Sequence, residues 1–252
     1  MAMKALVITK QGHPVAPNIE YTGSFPDPGP PDEGEVRLRV LASALNHLDL
    51  WVGRGVPGLD LDYPRVGGSD VCGVVEQVGE GVDEAWIGRR VIVNAALEIP
   101  PDEHPDNPTA ALLAPAYELI GEHHSPGAHA ERFVCPVEQV ADVGDTDPEQ
   151  AAAFGLTFLT AYSMMRTKAD LLPGQSVLIT GIGGGVALAA LAIAKHLGCR
   201  VCVTSRRQWK IDRAMELGAD HGVLDEGGDW SRDVRTWSNK RGVDLAVDSI
   251  GK

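Results

Sequence analysis

The segment Ser176-Val-Leu-Ile-Thr-Gly-Ile-Gly-Gly-Gly-Val-Ala187 limits what this chain can fold into more than any other part of it. A strand-like run, Val177-Leu178-Ile179, passes through Gly181, Gly183, Gly184 and Gly185 into an alanine-rich helix that begins at Val186. Glycine lets a backbone turn that tightly and still bring main-chain amides and a helix N-terminus close to a diphosphate. A bare glycine motif is weak, and a flexible turn is the bland reading. The strand before it and the helix after it are the context that a dinucleotide site requires.

The flanking sequence repeats the alternation. A helix starts at Asp147-Pro148, an acid able to cap followed by proline at the first helical position. The pattern then predicts strand 176–180, helix 186–197, strand 200–204, helix 208–217, a short strand 222–224, a helix near 230–238 and strand 244–248. Strands and helices alternating at this spacing imply a parallel, doubly wound sheet. The first 146 residues differ, with valine, glycine and proline spread among short strand candidates at 4–9, 35–44, 71–78, 89–94, 130–134 and 137–143. The expected fold class is therefore α/β, with a β-rich barrel or sandwich over 1–146 and a dinucleotide-binding domain over 147–252. Between Leu97 and His129, where Pro100, Pro101 and Pro105 cluster, no regular structure is expected.

The end of the second strand of the alternating half chooses between dinucleotides. A free ribose 2′-hydroxyl is usually held by Asp or Glu there, whereas a 2′-phosphate calls for cations and hydroxyl donors. This chain has Thr204-Ser205-Arg206-Arg207 and then Lys210, with no carboxylate before Asp212. Guanidinium groups fork onto a phosphate, so the pattern favours NADPH; the start of a solvated helix is the competing reading.

Composition narrows the partners. A net charge of −13 repels nucleic-acid backbones and anionic membrane surfaces. No run of about twenty apolar residues, enough to span a bilayer, occurs, and Met1-Ala-Met-Lys-Ala5 has no signal-peptide pattern, so a cytoplasmic protein is expected. Cys72, Cys135, Cys199 and Cys202 are too scattered for a disulfide framework. Cys199 and Cys202 lie in a β-type run, where residues three apart face opposite ways, and buried thiols are expected rather than a metal pair.

Four motifs in order, Ala44-Leu-Asn-His-Leu-Asp-Leu-Trp51, Gly67-Gly-Ser-Asp-Val-Cys-Gly-Val-Val-Glu76, Thr157-Phe-Leu-Thr-Ala-Tyr162 and the glycine loop, carry a resemblance. The chain resembles the medium-chain dehydrogenase/reductases, in the branch of quinone oxidoreductases and zinc-type alcohol dehydrogenase-like proteins. The resemblance implies a GroES-like catalytic domain, a Rossmann cofactor domain and hydride transfer to or from a small-molecule substrate, and it leaves a homodimer open. Zinc-dependent members resembling this chain carry Cys at the position of Asn46, a His-Glu pair at Ser69-Asp70 and Cys near Leu156. Asn, Ser and Leu cannot supply the ligands zinc prefers, and 95–129 contains no cysteine for a second zinc, so neither metal site is expected. His104, His123, His124 and His129 are given no ligand role.

Without zinc, a substrate carbonyl must be polarised by hydrogen-bond donors, and Asn46 is the first candidate. The resemblance implies that His47 reaches the pyrophosphate, that Thr160 touches the nicotinamide carboxamide and that Asp248-Ser249 borders the cofactor. Asp49 either orients the pocket or caps a helix, and Tyr162 is assigned to the core. Family members continue past the equivalent of Lys252 with two further strands, so the chain is expected to be a fragment or a truncated product. The alternatives to a zinc-independent NADPH oxidoreductase are a zinc-type alcohol dehydrogenase-like enzyme and a cofactor-binding remnant without catalysis.

Overall fold

The computed structural model describes residues 1–98, 117–123, 126–227 and 229–251. Pro100, Pro101, Pro105, His104 and His124, singled out above, lie outside them. The chain divides into two compact units, Met1–Leu156 and Thr157–Lys252.

The first unit is built from short antiparallel strands. β1 (Ala2–Ile8) pairs with β2 (Ile19–Pro26) and β4 (Arg65–Val66) in one sheet. A second sheet runs β10-β6-β5-β3-β9, formed by β3 (Glu35–Ala44), β5 (Asp70–Val78), β6 (Arg90–Val93), β9 (Arg132–Pro136) and β10 (Val140–Asp142). In β3 the alternation of sequence is the alternation of burial: Val36 and Leu38 are fully buried and their neighbours are not. They close a core with Val71, Val75, Val91, Val93, Phe133 and Cys135. The segment expected to lack regular structure instead supplies β7 (Ala96–Glu98) and β8 (Tyr117–Leu119), paired antiparallel. The two are distant in sequence, so neither a turn signal nor a periodicity marked them. A short helix, α1 (His47–Arg54), follows β3 directly.

Helix α2 (Pro148–Tyr162) begins where the Asp147-Pro148 signal places it, with Asp147 Oδ1 accepting the N–H groups of Glu149 at 3.1 Å and Gln150 at 3.0 Å. The boundary expected at 146/147 is the start of this helix; the compact units divide within it, after Leu156. Tyr162 corrects an expectation, being 54% exposed while Ala161 and Met165 are buried. One residue round the helix from Ala161 is about 100° away from the buried stripe.

The second unit is a parallel sheet in the order β13-β12-β11-β14, made of β11 (Ser176–Thr180), β12 (Arg200–Ser205), β13 (His221–Leu224) and β14 (Leu245–Asp248). Its strands are apolar on both sides because both faces are covered. On one face Val177, Ile179, Val201 and Val203 pack with α3 (Gly185–His196) and with Ala214 of α4 (Gln208–Glu216). On the other, Leu178, Cys202 and Val223 pack with Val234 of α5 (Ser231–Trp237). Cys199 and Cys202 thus enter different cores, and all four cysteines are buried and free. The chain crosses from one face to the other between β13 and β14, so β11 and β14 flank the switch point at whose carboxyl edge such sheets bind ligands.

Gly222 of β13 lies under Ile211 of α4, and a Cβ there would stand 2.2 Å from Ile211 Cγ2. The branched isoleucine has little freedom to turn away. Gly222→Ala is expected to cost about 1–3 kcal/mol, measured as a lower urea midpoint with an unchanged slope.

Candidate functional site

At the carboxyl ends of the parallel strands the second unit opens a cavity of about 620 Å³. Gly181, Thr204, Ser205, Arg206, Arg207, Lys210 and Asp248, all singled out from sequence, line it. Strand β11 delivers Thr180 and then turns at Gly181 (φ +61°) and Gly183 (φ +108°), backbone angles that side chains disfavour. Gly184 is the N-cap of α3 and uses no side chain, which leaves the first amides of the helix without a side-chain cap. Gly185 opens the helix, and Val186 packs partly buried against its core.

Hydrogen bonds hold the rim of this cavity in shape. Thr204 Oγ1 accepts the Gly181 N–H at 3.3 Å, and Ser205 Oγ accepts the Arg207 N–H at 3.2 Å. Asp248 Oδ1 accepts the Thr180 hydroxyl at 2.7 Å and the Ile250 N–H at 3.0 Å. The Thr180 bond, followed by the backbone donors, holds the Asp248 carboxyl below its ordinary pKa. Arg206 and Arg207 are exposed, and among the described residues no ion pair neutralises them or Lys210. The Lys210 side chain lies over the glycine loop: a Cβ on Gly183 would stand 3.1 Å from its Nζ. Ser249 is exposed in the loop just beyond β14.

Sequence reading missed several walls of the cavity. Trp209, Asp225 and Trp230 line it together with Thr180, Ile182 and Ile250, which lie in segments already singled out. They come from the ends of different strands and from helix starts, so only the sheet order brings them together. Asp225 is a carboxylate in the same cavity as the arginines, delivered by β13 rather than by β12.

The first unit holds the second group. Asn46 is the N-cap of α1, and its backbone N–H donates to Asp49 Oδ2 at 2.7 Å, one half of a capping box. The other Asp49 oxygen accepts the Gly68 N–H at 3.0 Å and stands 3.6 Å from His129 Nε2, while Ser43 Oγ lies 2.9 Å from His129 Nδ1. Asp49 therefore caps the helix and also ties it to the loop before β5. His47 is exposed on the first turn of α1, its ring 6.5 Å from that of Trp51. Thr160 stands on the C-terminal part of α2, within the second unit.

The positions at which zinc enzymes of the resembling kind hold metal converge here on hydrogen bonds. Asn46 Nδ2 donates to Asp70 Oδ2 at 2.8 Å, and the Leu156 N–H donates to Asp70 Oδ1 at 2.5 Å. Asp70 is 1% exposed; burial pushes its carboxyl up, opposed by the Asn46 and Leu156 donors, while Asp49 adds to the rise and His129 opposes it. Ser69 Oγ is buried without a hydrogen-bond partner. An amide donor, a hydroxyl and an aliphatic side chain supply no thiolate or imidazole, so this donor set does not fit zinc.

A family profile described as "Alcohol dehydrogenase GroES-like domain" matches residues 32–145, and one described as "Zinc-binding dehydrogenase" matches 185–252. A solved NAD-dependent alcohol dehydrogenase is 38% identical, with TM-score 0.87 over 99% of this chain and 71% of that one. A mycobacterial quinone oxidoreductase structure is 28% identical, with TM-score 0.75 over 99% of this chain and 68% of that one. The 2-haloacrylate reductase of a Burkholderia species is 29% identical over 98% of this chain, which spans 66% of the relative's length. No helix among the described residues is long and apolar enough to cross a membrane. With a GroES-like unit, a parallel nucleotide-binding sheet and relatives matched over nearly its whole length, the chain belongs to the medium-chain dehydrogenase/reductase superfamily, among the alcohol dehydrogenase and quinone oxidoreductase members.

Proposed function

We propose that this chain serves a zinc-independent oxidoreductase that transfers hydride between NADPH and a quinone, an enone or a related conjugated carbonyl. The observation that carries the cofactor choice is the trio Arg206, Arg207 and Lys210, unpaired by any described carboxylate, on the wall of the nucleotide cavity. A third phosphate brings about two negative charges to that wall, and cations there match it while a carboxylate on β12 would repel it. Gly183 to Gly185 and the start of α3 fit the diphosphate, with Lys210 close above the loop.

When bound, NADPH supplies the hydride. Asn46 then has the task that zinc performs elsewhere: its amide donates a hydrogen bond to the substrate oxygen and stabilises the negative charge that grows there. Asp49 holds the backbone of Asn46 in place through the 2.7 Å cap. The reductase and the quinone oxidoreductase among the similar proteins support the substrate class. The dehydrogenase described as NAD-dependent is the ground for the rival choice of NADH.

The test is direct. Tryptophan fluorescence is titrated with NADPH and with NADH, and loss of nicotinamide absorbance is then followed with benzoquinone and with an enal. Tighter NADPH binding with turnover supports the proposal; tighter NADH binding overturns the cofactor choice. Binding without turnover points to a remnant, and stoichiometric zinc in elemental analysis points to the metal-dependent reading.

A further inference from the structure

Asp70 has no part in the chemistry proposed above, yet it is the most enclosed carboxylate near it. Both of its oxygens are committed: Oδ2 to the Asn46 side-chain amide and Oδ1 to the backbone N–H of Leu156. A carboxylate only accepts, so the atom of the Asn46 amide that faces it must be nitrogen; turned over, the amide would set oxygen against oxygen. An amide nitrogen carries two hydrogens, so Asp70 takes one and leaves the other free to donate. The Leu156 amide belongs to the backbone of α2 and cannot swing away, so Asp70 is fixed from that side and fixes Asn46 on the other.

Consider Asn46 without this neighbour. Its amide would then be held only by the capping contact with the Asp49 backbone N–H, and an amide oxygen turned toward a substrate carbonyl repels the charge that must develop there. Asp70 Oδ2, 2.8 Å from the Asn46 amide nitrogen, removes the choice. We infer that Asp70 is a positioning residue, which sets the Asn46 amide nitrogen to donate to the reacting carbonyl oxygen. The inference rests on the donor role proposed for Asn46 and adds to it the group that enforces the donor.

Asp70→Asn tests this with almost no change in volume. The Leu156 N–H still demands an oxygen, so the new side chain turns its NH2 toward Asn46. The Asn46 amide must then turn over to offer its oxygen. The variant is expected to lose about 10²–10³-fold in kcat, as much as Asn46→Ala, with KM for NADPH and Tm close to wild type. A purely structural role would instead move Tm and spare kcat in the molecules that fold. A second measurement is independent of turnover: in 15N-labelled protein the two side-chain amide protons of Asn46, identified by their absence in Asn46→Ala, should be widely separated in shift. In Asp70→Asn that separation should collapse. Wild-type kcat in Asp70→Asn, or an unchanged amide pair, overturns the inference. If the wild-type protein reduces neither benzoquinone nor an enal, the proposed function fails and the amide spectrum alone decides the role of Asp70.

Discussion

Arg206→Glu should weaken NADPH binding by about 10–150-fold while changing NADH affinity little. A hydrogen bond to a charged group is typically worth about 1.5–3 kcal/mol, which is that range of fold-change at room temperature, and the introduced carboxylate adds repulsion. Arg206 is exposed at the end of β12 and supports no described hydrogen bond or ion pair, so the fold should tolerate the change. Lys210→Ala provides the contrast. Its amine lies over Gly183 as well as on the wall that carries the arginines, so its loss should weaken NADH binding too, though less than NADPH binding. Fluorescence titration of both variants with both dinucleotides separates an anion site on the ribose from one on the diphosphate. Equal losses for the two cofactors in Arg206→Glu would remove Arg206 from the ribose site.

Asn46→Ala should reduce kcat by about 10²–10³-fold, the usual cost of removing one donor to a developing oxyanion. The affinity for NADPH, set in the other unit, should change little. The substitution also deletes a hydrogen bond to the buried Asp70, leaving Oδ2 without its 2.8 Å donor. Some loss of stability is therefore expected, about 1–3 kcal/mol for an unsatisfied buried acceptor, and thermal denaturation will show it separately from turnover. A variant that folds, binds NADPH and keeps wild-type kcat would show that carbonyl polarisation lies with another group.

Much of the second unit was legible because its signals are local. The strand 176–180 is an apolar run stopped by glycine, and the helix after Pro148 has its cap and its proline in adjacent positions. The first unit was harder. β2 has no buried face in register, with Gly23 and Pro26 inside it, so its sequence carries no alternation to read. α1 is only eight residues long, and Asn46 and Asp49 drew notice for chemistry although their spacing is also that of a cap. The site showed the same limit. Asp70 could be matched to a lost metal ligand from sequence, but its contacts with Asn46 and Leu156 join residues 24 and 86 positions away. Trp209, Asp225 and Trp230 meet in one cavity only because parallel strands all end on the same edge.

The buried thiols give the protein its own clocks. Cys72 and Cys135 lie in the first unit and Cys199 and Cys202 in the second, all enclosed. Burial raises Cys72 and Cys135, and it pushes Cys202 up to about 12, so the reactive thiolate is scarce while the chain is closed. Labelling by an alkylating reagent therefore times transient opening, and peptide mapping of the adducts gives separate opening rates for the antiparallel half and the parallel-sheet half.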